Sequence, residues 1–143
     1  MGDRQKRVVE WVCCRDITQD ASMRWPWMNK RFTVEDVRAA ANLLSDYGIG
    51  QMGFLLLGGP GETRDTVEES LSFIDSLPLN AVKLTRGIRI YPNTPLAKRA
   101  MEEGRISARN NLLFPEFYIA DGLDPWLRET LHALISERPN WMY

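Results

Sequence analysis

Four consecutive apolar residues, Phe54-Leu55-Leu56-Leu57, run directly into Gly58-Gly59-Pro60-Gly61-Glu62-Thr63. A run of this kind does not alternate between a dry and a wet face. A strand ending in it, read as Ile49 to Leu57, is therefore expected to be covered on both sides, as in a parallel sheet. The glycines then permit a tight turn. Thr63 reads as an N-cap, and Val67, Leu71, Ile74 and Leu77 recur on one helical stripe behind it. Strand, turn and helix make one βα unit, which needs further units of the same kind to bury its apolar surfaces.

Such units are present on both sides. Upstream, Thr33 followed by Asp36 suits a capped helix start, Val34, Val37, Ala40, Ala41 and Leu44 share a face, and Gly48 supplies the stop after Tyr47. Before it, Arg7 to Arg15 carries Val8, Val9, Trp11 and Val12 and reads as a first strand. Asp16 to Lys30 reads as a connection with one helical turn. Downstream, Ala81 to Tyr91 reads as a third strand, with Gly87 marking a bulge. Thr94 caps and Pro95 opens the next helix, and Gly104 closes it. A last helix is expected from Asp124 and Pro125 through Leu127, Leu131, Leu134 and Ile135 to a stop at Arg138 and Pro139.

The fold class is accordingly α/β, with about three parallel strands, flanking helices and a C-terminal helix. Three strands are too few to close a barrel, and periodicity does not choose between a partial (β/α) barrel and a small open sheet. The 143 residues hold no repeat and no flexible linker, so 1–143 reads as a single domain. Eighteen Lys and Arg against nineteen Asp and Glu, without a long block of either sign, argue against nucleic acid and anionic membranes as partners. No apolar stretch approaches the roughly 20 residues of a membrane-spanning helix. Met1 to Arg7 is charged and has no apolar core of a signal peptide, which points to a cytoplasmic setting.

Several stretches, in their order, resemble the radical S-adenosylmethionine (radical SAM) family, particularly members with a cobalamin-binding domain ahead of the barrel. Met28 to Thr33 is similar to the family's lead into the fourth barrel helix, and Phe54 to Thr63 to its fifth strand and turn. Gly87 to Leu96 is similar to the sixth strand and following helix, and Leu112 to Tyr118 to a segment after the barrel. The resemblance implies a barrel in which a [4Fe-4S] cluster on a CxxxCxxC loop cleaves S-adenosylmethionine, and an Fe-S oxidoreductase or methyltransferase type of activity. This sequence departs from the family where the chemistry resides. Its only cysteines are the adjacent Cys13 and Cys14, whereas such a cluster takes three thiolates, and neighbours on a strand point to opposite faces. The family's second-strand glycine-glycine-glutamate segment is missing too. The chain reads as the back third or half of a barrel, inactive alone, with neither cofactor expected to bind to it unaided.

By the same resemblance Leu57, Gly58, Gly59, Gly61, Glu62 and Arg89 are the candidate cofactor-binding residues, with Leu57 and Gly59 foremost. Leu55 departs from the family pattern where a glycine would fall. Glycine conformation, with Glu62 favouring the helix dipole, explains the same turn without any ligand. A phosphate site there fits neither GxGxxG nor GxxxxGK[ST], and Glu62 would repel it. Arg86 and Arg89, three apart, should face opposite sides of a regular strand. Tyr91 and Asn93 are secondary candidates, and His132, without a second ligand nearby in sequence, reads as a surface residue. Trp11, Trp25, Trp27, Trp126, Trp141, Phe114, Phe117 and Tyr118 read mostly as packing groups. An incomplete barrel leaves strand edges uncovered, so the expected partner is a second copy or a chain that supplies the missing half. An α/β interaction module that kept the fold without the chemistry is the alternative.

Overall fold

A computed structural model describes residues 8–14 and 33–143. The chain runs β1 (Val8–Cys14), α1 (Val34–Asp46), β2 (Gly50–Leu57), α2 (Arg64–Asp75), β3 (Ala81–Arg86), β4 (Ile88–Arg89), α3 (Pro95–Glu102), β5 (Phe117–Tyr118), α4 (Trp126–Glu137) and β6 (Trp141–Met142). Four strands form one open sheet in the order β1-β2-β3-β6, and every pairing in it is parallel. The α/β class with three main parallel strands is thus present, and among the described residues the sheet does not close. The connection expected over Asp16 to Lys30 lies outside the described residues, as do Arg7 and Arg15 at the ends of the first strand.

The helices start where local chemistry dictates. Thr33 Oγ1 accepts from the Asp36 amide at 3.2 Å while the Asp36 carboxylate accepts from the Thr33 amide at 2.7 Å, a reciprocal capping box at α1. Thr63 and Thr66 repeat the exchange at α2, and Thr94 caps α3 through the Ala97 amide, with Pro95 in the first turn. Helix α4 begins at Trp126, two residues after the expected Asp124, with no side-chain cap.

The faces of the sheet differ. Leu55, Leu57, Val82 and Leu84 point to one side, where they form the core with Val67, Leu71 and Ile74 of α2, Leu127 and Leu131 of α4, and Trp141. Each of these leucines is worth about 1.5–3 kcal/mol relative to exposure. A Cβ on Gly53 would lie 2.7 Å from Leu79 Cδ1 and 3.1 Å from Ile74 Cδ1, so the missing side chain lets the end of α2 settle against the strand. On the same side, buried Gln51 donates from Nε2 to the Ala41 carbonyl at 2.8 Å and ties α1 to β2.

On the other side lie Met52, Phe54, Leu56, Ala81 and Thr85, all half-buried, and exposed Lys83. None of them belongs to the core. The expectation that the Phe54 to Leu57 run is covered on both faces is corrected here: burial alternates residue by residue, because described helices pack on one side only.

Two further expectations are corrected. The single strand over Ala81 to Tyr91 breaks at Gly87, whose φ of +84° turns the chain out of the parallel sheet. Ile88 and Arg89 instead pair antiparallel with Tyr118 and Phe117, giving a separate two-stranded ribbon. Gly87 is therefore a junction between sheets and not a bulge within one strand. The tail beyond Pro139 also does more than stop a helix, since Trp141 and Met142 add a short strand beside Val82 and Lys83.

Candidate functional site

Strands β2 and β3 end side by side, so the glycine turn after one and the Gly87 junction after the other share a rim. This is the end of a parallel sheet at which ligand sites are built. Four backbone hydrogen bonds hold the rim. Gly87 N donates to Leu57 O at 2.6 Å, Ala120 N to Gly58 O at 2.8 Å, Glu62 N to Gly59 O at 3.0 Å, and Ile90 N to Glu116 O at 2.8 Å. Gly58 sits at φ +95°, a conformation that calls for glycine, although a Cβ there would only touch Gly87 N at 3.4 Å.

Glu62 is 4% exposed, and its Oε2 accepts from Gly59 N at 2.6 Å and from Gly58 N. The turn is therefore arranged around an internal carboxylate immediately before the capped start of α2. A negative charge is favourable there, since the first amides of a helix and its dipole both attract it.

The sequence candidates fall in different places. Gly58, Gly59 and Glu62 are buried in the turn, and Gly61 is exposed at its tip with φ +78°. The Leu57 side chain lies wholly in the core, so only its backbone reaches the rim. Arg89 is not on the parallel strand; it lies exposed on the ribbon, its guanidinium carbon 5.0 Å from the centre of the Tyr91 ring. Arg86 remains on β3 and binds the Asp124 carboxylate at 2.7 Å, which raises its already high pKa. Asn93 takes φ +61° in the turn before α3, a conformation asparagine tolerates. His132 is exposed and meets the Tyr143 ring edge-on, with centroids 5.3 Å apart.

Two groups of residues escaped the sequence reading. One is the rim end of the open sheet face, Leu56 paired in register with Thr85. The other is a network behind the ribbon. Glu103 accepts from Arg99 Nε at 2.7 Å, Arg105 Nε at 2.7 Å and the Tyr118 hydroxyl at 2.8 Å. Arg105 also donates to Ile119 O and to the Asp121 carboxylate, both at 2.7 Å. These bonds, from Arg99 first and then Arg105 and Tyr118, hold Glu103 down at about 2 from its ordinary 4.5. Burial first, and then the hydrogen bond to Glu103 and that carboxylate's charge, push the Tyr118 phenol up. The spacing of four between Arg99 on α3 and Glu103 at its C-cap was the one local hint of this network. Of the aromatic residues expected to pack, Trp141 and Tyr118 are buried, whereas Phe114 and Phe117 are exposed.

The described fold is an open parallel α/β sheet with flanking helices, consistent with a partial (β/α) unit. No protein-family model and no curated protein matches the chain. Among solved structures it is similar to the radical S-adenosylmethionine methyltransferase TsrM from Kitasatospora setae, whose structure holds cobalamin and a [4Fe-4S] cluster. The TM-score is 0.63 at 22% identity, over 79% of this chain and 28% of that one. The likeness is one of fold, and the chain spans little more than a quarter of that enzyme's length. No described helix is long and apolar enough to cross a membrane.

Proposed function

We propose that the chain is the C-terminal portion of a radical SAM Fe-S oxidoreductase-like barrel, which contributes part of the S-adenosylmethionine and substrate side and is inactive without the rest. The observation that carries this reading is the one-sided core. Parallel strands are normally covered on both faces, yet Met52, Phe54 and Leu56 stand outside the packed cluster while their neighbours Leu55 and Leu57 are fully buried. In a barrel that second face becomes the lumen. A fold shared with part of a much longer radical SAM enzyme agrees with it.

In this reading Leu57, Gly58, Gly59, Gly61 and Glu62 line the cofactor edge through the backbone of the turn, with Arg89 on the adjoining ribbon. A [4Fe-4S] cluster does not fit the donors of this chain, because two neighbouring cysteines cannot supply three thiolates. A partner chain that supplies the missing half of the barrel would have to provide them, since a second copy brings only the same two adjacent cysteines.

Reconstituting the purified chain with iron and sulfide is expected to leave it without cluster absorbance, and calorimetry with S-adenosylmethionine without binding heat. A bound cluster overturns the reading. Sedimentation is expected to reveal self-association at micromolar concentration or binding to a protein that carries CxxxCxxC. A chain that stays monomeric and ignores such a protein argues for the stand-alone module instead.

A further inference from the structure

The first amides of a helix, with glycines ahead of them, form a concavity that attracts anions. In this chain the glycine amides ahead of α2 already hold one, while the Thr66 amide of the first turn is taken by Thr63 Oγ1. The Glu62 carboxylate, almost fully buried, receives the Gly58 and Gly59 amides, and the chain then passes directly into the Thr63 cap of α2. The carbonyls of the same two glycines are engaged as well, by Ala120 N and Glu62 N. A second anion placed against these amides would have to displace a buried carboxylate or lie beside its charge, and both are costly in a region of low dielectric.

We propose that Glu62 is a positioning residue that fills the anion-binding concavity of the glycine turn with its own carboxylate, so that the Gly58 and Gly59 amides are not offered to phosphate. The carboxylate also sets where the turn stands relative to the ribbon, because Gly58 is held from one side by Glu62 and from the other by Ala120. That the rim faces a ligand at all rests on the function proposed above; that Glu62 fills the concavity does not.

Proton–nitrogen correlation spectra of the whole chain test this without any cofactor. In the wild type the Gly58 and Gly59 amide protons are expected far downfield, as donors to a carboxylate, and titrated inorganic phosphate should leave them in place. Glu62→Gln keeps an acceptor without the charge and should move these two peaks part of the way upfield, with Gly48 and Gly104 unmoved as controls. Glu62→Ala should move them further and let inorganic phosphate shift them. Should Glu62→Ala fail to fold, the wild-type and Glu62→Gln arms still decide. Phosphate shifting the wild-type peaks, or Glu62→Gln leaving them where they were, overturns the proposal. Cluster formation by the isolated chain would sink the barrel reading and leave this assignment of Glu62 standing.

Discussion

The two faces of the parallel sheet are made by the same strands and meet opposite fates. Leu55, Leu57, Val82 and Leu84 are sealed under α2 and α4, whereas Phe54, Leu56, Lys83 and Thr85, one residue out of phase, stay partly or fully open. Hydrophobicity does not separate them, since Leu55 and Leu56 are the same residue. What separates them is which side the described helices occupy. The closed face holds the packed core; in the proposed barrel the other face is the lumen side.

Removing side chains from each face sharpens the contrast. Leu84→Ala should lose about 2–5 kcal/mol, the usual range for a buried leucine whose site cannot collapse, as read by urea unfolding. Leu56→Ala should cost about 1 kcal/mol, since a half-buried side chain has less area to lose. Equal losses would mean that the open face is packed after all and would break the comparison.

The junction between sheet and ribbon comes next in size. A Cβ on Gly87 would lie 3.0 Å from both Tyr118 O and Ile119 Cγ1, at φ +84°. Gly87→Ala should therefore cost about 1–3 kcal/mol, the range for a residue held in a disfavoured backbone region. Thermal denaturation measures it. A neutral result would show that the ribbon can move away from the rim.

Tyr118→Phe removes the hydroxyl bond to Glu103 and should cost about 1 kcal/mol. Glu103 also predicts a pH signature. Its folded value, about 2, lies below the ordinary 4.5, so the folded state holds its proton less tightly than the unfolded chain does. The stability it contributes is complete above 4.5 and declines as pH falls from there through about 2. Glu103→Gln should flatten the dependence of the urea midpoint on pH across that window. An unchanged slope would assign acid sensitivity to other carboxylates.

The smallest effect is expected on the open face. Lys83 is exposed at the register of Phe54 and Met142, and Lys83→Ala should change stability by no more than about 0.5 kcal/mol. A large loss would show that the lysine is tied into the fold and does not await a partner or ligand.

Much of the fold was legible in order. The caps at Thr33, Thr63 and Thr94, the stop at Gly48 and the βα alternation all rest on interactions within a few residues, and each stands where the pattern put it. The glycine turn was legible as a turn, but not as the housing of a buried carboxylate. A glutamate before a helix is ordinary on a surface, and nothing in the local pattern says that Glu62 turns inward onto the Gly58 and Gly59 amides. Arg89 was placed on the wrong sheet because an apolar and basic alternation through Gly87 looks continuous. Its true partner, Phe117, is supplied from beyond α3.

Short-range chemistry in the sequence was enough to decide where helices begin, where strands end and that the units alternate, because a cap or a glycine stop acts on backbone groups one to four positions away. It could not decide which side of β2 is dry, where the Glu62 carboxylate goes or which strand accepts Ile88 and Arg89. Those outcomes depend on surfaces brought together from distant parts of the chain, and burial is a property of the assembled neighbours and not of the residue.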